Sequence, residues 1–143
     1  MRMPALACLL LLITANASAD PIQSGAIQVI DADTITASGK TVGLVGFDTP
    51  EAEMYANCES ERSLAAQATL KLRQLVAGGG LDLALVQCSC PAGTEGTPAC
   101  NSGRACGVLK AAGKDVAEVL IANGLARSFV CSGDRCPRRE PWC

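Results

Sequence analysis

The sequence predicts an α+β fold that is mainly β, with five short strands and two packed helices, and three observations lead to this prediction. Several short runs rich in β-branched residues lie between turn-forming residues, which is typical of strands. Two longer stretches repeat apolar residues at helical spacing. Nine cysteines accompany only two phenylalanines, one tyrosine and one tryptophan, so we expect cross-links to support a core that is poor in aromatic bulk.

The first three strands are expected to form a meander. They cover residues 26–30, 34–37 and 41–47, and a turn at residues 37–40 joins the second strand to the third. The loop that follows, residues 48–57, connects the meander to the first helix.

The first helix is predicted over residues 58–76. Asn57 is the expected N-cap, the acidic residues Glu59 and Glu61 suit the first turn, and the glycines at 78–80 end the helix. The apolar stripe consists of Leu64, Ala68, Leu72, Leu75 and Val76.

The rest of the domain supplies two more strands and a second helix. The fourth strand covers residues 81–87 and the fifth covers residues 104–111, with a cysteine-rich loop between them. Asp115 and Glu118 form a capping box that begins the second helix, and Asn123-Gly124 ends it. A short return segment, residues 125–130, leads to the tail.

Residues 1–19 are typical of an export signal. Arg2 provides a positive start, residues 5–13 are an apolar run too short to span a bilayer, and Ala17-Ser18-Ala19 is a small-residue cleavage site. We therefore expect cleavage near Ala19 and a periplasmic or extracellular protein. No later stretch is apolar enough for a membrane helix, so no membrane association is expected.

Without the signal, the chain consists of one expected domain, residues 20–130, and a cysteine-rich tail, residues 131–143. Eight cysteines remain, and an even number in an exported chain predicts up to four disulfides that tether the tail. Zinc is the less favoured alternative, because the Cys88-Ser89-Cys90 spacing is short and the chain has no histidine. Closeness in sequence favours pairing of Cys131 with Cys136 and of Cys100 with Cys106. The candidates are Cys58, Cys88, Cys90, Cys100, Cys106, Cys131, Cys136 and Cys143.

Two pairs of carboxylates are the candidate functional groups. Asp48 and Glu51 flank Pro50, which stiffens the backbone that presents them. Asp31 and Asp33 stand two residues apart, so in a strand they share a face. Taken alone, the first pair also fits a helical capping box, and the second also fits a solvated hairpin end. Because histidine is absent, carboxylates and arginines must carry any acid–base chemistry.

The order of these motifs resembles the thermonuclease family, the staphylococcal-nuclease-like domains. The resemblance covers about residues 26–129. It is carried by Val29-Ile30-Asp31-Ala32-Asp33-Thr34-Ile35, by Phe47-Asp48-Thr49-Pro50-Glu51, by Gly103-Arg104 and by the stretch from Gly113 to Arg127.

The resemblance implies a five-stranded Greek-key barrel of the OB type and a calcium-dependent nuclease that hydrolyses phosphodiester bonds of DNA and RNA. Asp33, Asp48 and the carbonyl of Thr49 would hold Ca²⁺, and Asp31 would support the site. Glu51 would orient or deprotonate the attacking water, and Arg104 would bind the phosphate. The implied substrate is single-stranded or flexible nucleic acid, and we expect a monomer.

One position departs from the family pattern. The family has a second phosphate-binding arginine where this chain has Gly43, and we expect weakened activity because a donor to the developing oxyanion is lost. Lys40 and the tail arginines Arg135, Arg138 and Arg139 are the charges that would replace it. The net charge of −2 does not indicate a general nucleic-acid binder.

Two alternative interpretations compete with an enzyme. An OB barrel that has lost its chemistry would be a nucleic-acid or peptide binding module. A small secreted scaffold stapled by disulfides would account for the cysteines, but it leaves the ordered acidic motifs unexplained.

Overall fold

The structure is a computed structural model that describes residues 22–143. The predicted export signal, residues 1–19, and its cleavage site at Ala19 lie outside the described residues. The described chain is an α+β fold with a curled mixed sheet, two helices and four disulfides. No helix in this part of the chain is both long enough and apolar enough to cross a membrane.

The main sheet begins with the predicted antiparallel meander and continues through strands from later in the chain. Its strands are β1 (Ile27–Val29), β2 (Thr34–Ala37), β3 (Lys40–Leu44), β5 (Leu81–Val86), β6 (Ala105–Ala111) and β7 (Lys114–Asp115). Their order is β1-β2-β3-β6-β5, β3 and β6 are parallel, and the short strand β7 pairs with β6. An isolated bridge from Ile22 to Leu81 links the residues ahead of β1 to β5.

A second, two-stranded sheet arises where the predicted strand at residues 41–47 is interrupted. Gly46 has a φ of 97°, a left-handed conformation that glycine adopts without steric cost, and it turns the chain out of the main sheet. The chain continues as β4 (Gly46–Asp48), which pairs with β8 (Arg127–Phe129). The single predicted strand is therefore two strands, and the described chain has eight strands where five were predicted.

The expectation that Asp31 and Asp33 lie in a strand is wrong. Both residues lie in the bend between β1 and β2, where the backbone N–H groups of Ile30 and Asp31 donate to the carbonyl of Thr34. The N–H of Asp33 donates to Oδ1 of Asp31 at 3.2 Å, so the first carboxylate stabilises the bend that carries the second.

Both predicted helices are present and pack against the sheet. Helix α1 (Glu59–Ala77) begins at the N-cap residue Cys58, and not at Asn57 as predicted, because both the backbone and the side chain of Asn57 donate to Glu61. Helix α2 (Val116–Ala122) is capped by Asp115, whose side chain accepts from the N–H of Ala117 at 2.8 Å. The buried face of α1 includes Ala65, Ala68, Leu72 and Val76, and it joins one core with Ile35, Val42, Leu109 and Leu120.

Four disulfides use all eight cysteines of the described chain. The pairing of Cys131 with Cys136 is confirmed. The predicted pairing of Cys100 with Cys106 is wrong, since Cys106 faces Val86 across the β5–β6 ladder and Cys88 lies two residues beyond Val86. The other bonds are Cys58–Cys143, Cys88–Cys106 and Cys90–Cys100. Four disulfides fit an extracellular or periplasmic protein.

We expect Gly107→Ala to destabilise the sheet. A Cβ at Gly107 would lie 2.8 Å from Cγ1 of Val42 and 3.1 Å from Cδ1 of Leu83, both packed in the core. Overpacking of this kind costs about 1–3 kcal/mol. Gly25→Ala is the matched control, because no atom lies within 4 Å of its Cβ position. Urea unfolding of the oxidised variants measures both changes, and equal stability of the two would contradict this account of the packing.

Candidate functional site

Asp33 and Arg104, which are distant in sequence, form one polar cluster with Thr34 and Thr49. Arg104 immediately precedes β6, and its Nη1 donates to Oγ1 of Thr34 at 2.6 Å and lies 3.9 Å from Oδ1 of Asp33. The hydroxyl of Thr34 donates to Oδ1 of Asp33 at 2.9 Å, and the hydroxyl of Thr49 donates to Oδ2 at 3.3 Å. The structure thus brings together three of the residues predicted for the site, from three separate segments.

Asn101 positions Arg104, although no pattern in the sequence pointed to it. The carbonyl of Asn101 accepts from Nε of Arg104 at 3.1 Å, and its Oδ1 accepts from Nη2 at 2.8 Å. The residue adopts a left-handed φ of 49°, which asparagine tolerates better than most residues. Its neighbour Cys100 is bonded to Cys90, so the turn that holds the guanidinium is itself cross-linked.

The space beside Gly43 is filled by Asn101. A Cβ at Gly43 would lie 2.7 Å from Nδ2 of Asn101, so any side chain at this position must displace the asparagine. A Gly43→Arg substitution therefore disturbs the residue that holds Arg104 while it adds a second guanidinium. Gly43→Arg would therefore not simply restore the positive charge of the family's second arginine.

Burial makes the Asp33 carboxylate costly to ionise. Loss of solvent, reinforced by the neighbouring charge of Asp31, raises the pKa of Asp33 to about 6 from its ordinary value of 3.8. The hydroxyl of Thr34 and the charge of Arg104 act in the opposite direction but do not overcome these effects. Near neutral pH the site holds a negative charge that a bound cation would stabilise.

The loop that carries Glu51 is held by Glu61, an acid that was predicted only to suit the first turn of α1. Glu61 is 2% exposed and accepts from the backbone N–H groups of Asn57 at 2.7 Å and Glu51 at 3.2 Å. The Asn57 hydrogen bond is the main reason that the pKa of Glu61 is lowered, although burial acts against it. The base of the loop is therefore anchored to α1, while the Glu51 side chain is left free for other contacts.

The cysteine-rich tail, residues 131–143, covers Asp48. The indole Nε1 of Trp142 donates to Oδ2 of Asp48 at 3.1 Å, and Nε of Arg139 lies 3.1 Å from Oδ1. Nη1 of Arg139 also donates to Oε1 of Glu51 at 2.9 Å. The Arg127 guanidinium lies 3.9 Å from the centre of the Trp142 ring. Arg139 was one of several tail arginines considered from the sequence, whereas no pattern pointed to Trp142.

Two concave regions adjoin these residues. An open cleft of about 340 Å³ is lined by Asp33, Arg104, Arg139 and Phe129, among others. A small cavity of about 30 Å³ is lined by Asp31, Asp33, Thr49 and Glu51, and it is large enough for one water-sized occupant. Asp33 lines both regions. It therefore lies between the small cavity, which has room for a single ion, and the larger cleft, which has room for a ligand.

The predicted acids do not converge as a tight group. In the part of the chain that the structure describes, Cys58, Glu61 and Cys143 are the only set of three potential ligands whose atoms lie within 4.8 Å of one another, and the two sulfurs are bonded to each other. Asp33 and Thr49 lie together, but Asp48 and Glu51 are arranged around Arg139. The hard oxygen atoms around the small cavity suit calcium, but Asp48 does not line this cavity, and its Oδ1 faces Arg139.

No protein-family model matches this chain, and neither does any curated protein. The resemblance to thermonucleases therefore rests on the quoted motifs alone.

We expect Asp33→Asn to change how stability depends on pH in the presence of chelator. Because the folded-state pKa is raised, the wild-type protein has its full stability from this group below pH 3.8 and loses it as pH rises through about 6. The loss corresponds to about 1–3 kcal/mol for a group that is partly solvent-exposed. The asparagine variant should lack this loss, as measured by urea unfolding at pH 4 and pH 7.5.

Glu118→Gln is the control for this measurement, since Glu118 is an exposed carboxylate on α2. It should keep the wild-type pH dependence. If Asp33→Asn also keeps that dependence, burial of Asp33 does not destabilise the protein at neutral pH.

Proposed function

We propose that this protein is an exported, calcium-dependent nuclease of the thermonuclease type that hydrolyses phosphodiester bonds in single-stranded or flexible DNA and RNA. The observation that carries the proposal is the contact of Asp33 with both Thr49 and Arg104, since Asp33 and Arg104 line one open cleft. The motifs that suggested the function are far apart in sequence. A hydrolytic pocket requires their side chains to lie in one site.

The topology supports a barrel of the OB type. The strand order β1-β2-β3-β6-β5, together with the bridge from Ile22 to Leu81, takes the chain around most of a closed circuit. In this proposal β4 and β8 are additions at one side of the barrel, and they carry Asp48 towards the tail.

Asp33, Asp48 and the carbonyl of Thr49 would hold the cation, and Asp31 supports Asp33 by accepting its backbone N–H. Calcium prefers several oxygen ligands in a flexible shell, and when bound it offsets the charge that builds on the phosphoryl oxygens. The fit rests on the small cavity that Asp31, Asp33, Thr49 and Glu51 line.

Arg104 is positioned to bind a phosphate. A guanidinium has five N–H donors, and three of those in Arg104 are used by Thr34 and Asn101. One N–H on each terminal nitrogen is left, and such a pair can donate to two phosphate oxygens. Glu51, on the rim of the small cavity, is the carboxylate that orients the attacking water and accepts its proton.

The alternative is a binding module that has lost its chemistry. The absence of an arginine at position 43 favours it, and so does the pairing of Glu51 with Arg139, which engages the proposed base. This alternative keeps the cleft and Arg104 as a site for anionic chains. It predicts binding of single-stranded DNA without cleavage.

The test uses purified, oxidised protein with single-stranded DNA and millimolar calcium. We expect cleavage that disappears with chelator and falls by about 100-fold or more in Glu51→Gln, because the amide cannot accept the proton. Glu53→Gln is the matched control, since Glu53 is an exposed acid in the same loop, and it should keep wild-type activity.

Cleavage that persists in chelator, or that Glu51→Gln leaves unchanged, would contradict the proposed mechanism. Calcium-independent binding without any turnover would instead establish the alternative.

A further inference from the structure

Arg104 lines a further concave region besides the open cleft, at the end of the sheet where β3 and β6 begin. This region, the Lys40 pocket, has a volume of about 500 Å³. β3 and β6 run parallel with Val42 beside Ala105, so the residues just before this pair, Thr41 and Arg104, are also neighbours. The pocket is lined by Lys40, Thr41, Ser102, Gly103, Arg104 and Ala105.

The lining of the Lys40 pocket carries two positive charges and no carboxylate. Asp33, the acid that faces Arg104, lines the open cleft and does not line this pocket. Lys40 is exposed and forms no salt bridge with any residue that the structure describes. The pocket is therefore a locally positive concave surface on a chain whose net charge is −2, and such a surface attracts anions.

The pocket also offers hydrogen-bond donors. The ammonium group of Lys40 has three, and the hydroxyls of the exposed residues Thr41 and Ser102 add one each. The turn that carries Ser102 has a defined shape, because residues 101–103 all adopt left-handed φ angles of 49°, 55° and 79° and the residue before them is held by a disulfide. A donor on a backbone of fixed shape loses little freedom when it binds a ligand, so the pocket suits an oxyanion.

The second cation near Arg104 is placed differently. Arg139 lines the open cleft together with Arg104. Its guanidinium contacts the carboxylates of Asp48 and Glu51, which offset its charge. Of the cations considered as replacements for the missing family arginine, Lys40 is therefore the one that lies beside Arg104 and has no acidic partner in the described chain.

The position of Arg104 between the open cleft and the Lys40 pocket indicates the kind of ligand. A chain with a negative charge on every unit can place one charged group in the cleft and another in the pocket. Single-stranded nucleic acid is such a chain, and its bases can stack on the half-buried ring of Phe129, which also lines the cleft. An acidic peptide has the charges but lacks the bases.

We propose that Lys40, Ser102 and Arg104 form a second phosphate subsite, which binds a backbone phosphate of the strand that leaves the open cleft. Lys40 and Ser102 donate to the phosphate oxygens, and Arg104 contributes its charge to both sites. This inference rests on the proposed function only in taking a nucleic-acid strand as the ligand, and it holds whether or not the strand is cleaved.

The experiment measures binding of a fluorescently labelled oligothymidylate of about ten nucleotides to the purified, oxidised protein by anisotropy, in chelator so that the strand stays intact. Lys40→Gln should bind about 5-fold more weakly at 0.1 M salt, and the slope of log K against log salt should fall by about 0.7, because one phosphate contact is lost. Lys114→Gln is the matched control, since Lys114 is an exposed lysine in β7, beside the far end of β6, and it should bind as the wild-type protein does.

Unchanged binding by Lys40→Gln, or equal weakening by Lys40→Gln and Lys114→Gln, would overturn the subsite and leave nucleic-acid binding by the cleft intact. A polyglutamate peptide that competes as well as unlabelled DNA of the same charge would overturn the assignment to a phosphate. Binding that depends on Lys40, with no cleavage when calcium is added, would support the subsite and contradict the nuclease. If the wild-type protein binds no strand, the proposed function and the subsite are both wrong.

Discussion

The burial of the Asp48 carboxylate is the constraint on which the arrangement of the site depends. A charge removed from water must be paired, and the chain meets this need with residues that lie about ninety positions further on, since Trp142 is 94 positions from Asp48. The pairing requires β4 to leave the main sheet, and Gly46 provides the turn that makes this possible. It also requires the tail to cross over β4 and β8, where Arg127 holds its last residues.

Glu61 is also a buried carboxylate, but it is stabilised by a different set of partners. It accepts three hydrogen bonds from the Glu51 and Asn57 backbones and from the Asn57 side chain, and these contacts stay within one local region of the chain. Because its partners are mostly backbone N–H groups, it stabilises the shape of a loop and leaves no oxygen for exchange with a ligand. Asp48 depends instead on two side chains of the tail, Arg139 and Trp142.

Local patterns predicted much of the fold. Helical periodicity located α1 and α2, the capping residue Asp115 was correct, and the meander of β1, β2 and β3 followed from short β-rich runs and their turns. The bond between Cys131 and Cys136 followed from closeness alone. Each of these features is decided within a few residues, where propensity and periodicity carry the information.

The features that were missed depend on contacts between distant segments. The partner of Cys106 is set by the register of β5 against β6, which short-range spacing does not encode. Asn101 matters because β6 runs beside β3 and places it against Gly43. The sequence motifs identified Asp33, Thr49 and Arg104 as site residues. They gave no reason to expect Arg139 and Trp142 beside Asp48, because the tail has no regular structure of its own.

The bond between Cys58 and Cys143 spans 85 residues and fixes the tail to the N-terminal end of α1. The tail already belongs to the same chain, and this bond adds a second, short tether that sets the effective concentration of Arg139 near its acids, on the order of millimolar. A contact that would be too weak between separate molecules becomes well populated under these conditions. Reagents that cleave this bond would lower that concentration and act on the site without any contact with its acids.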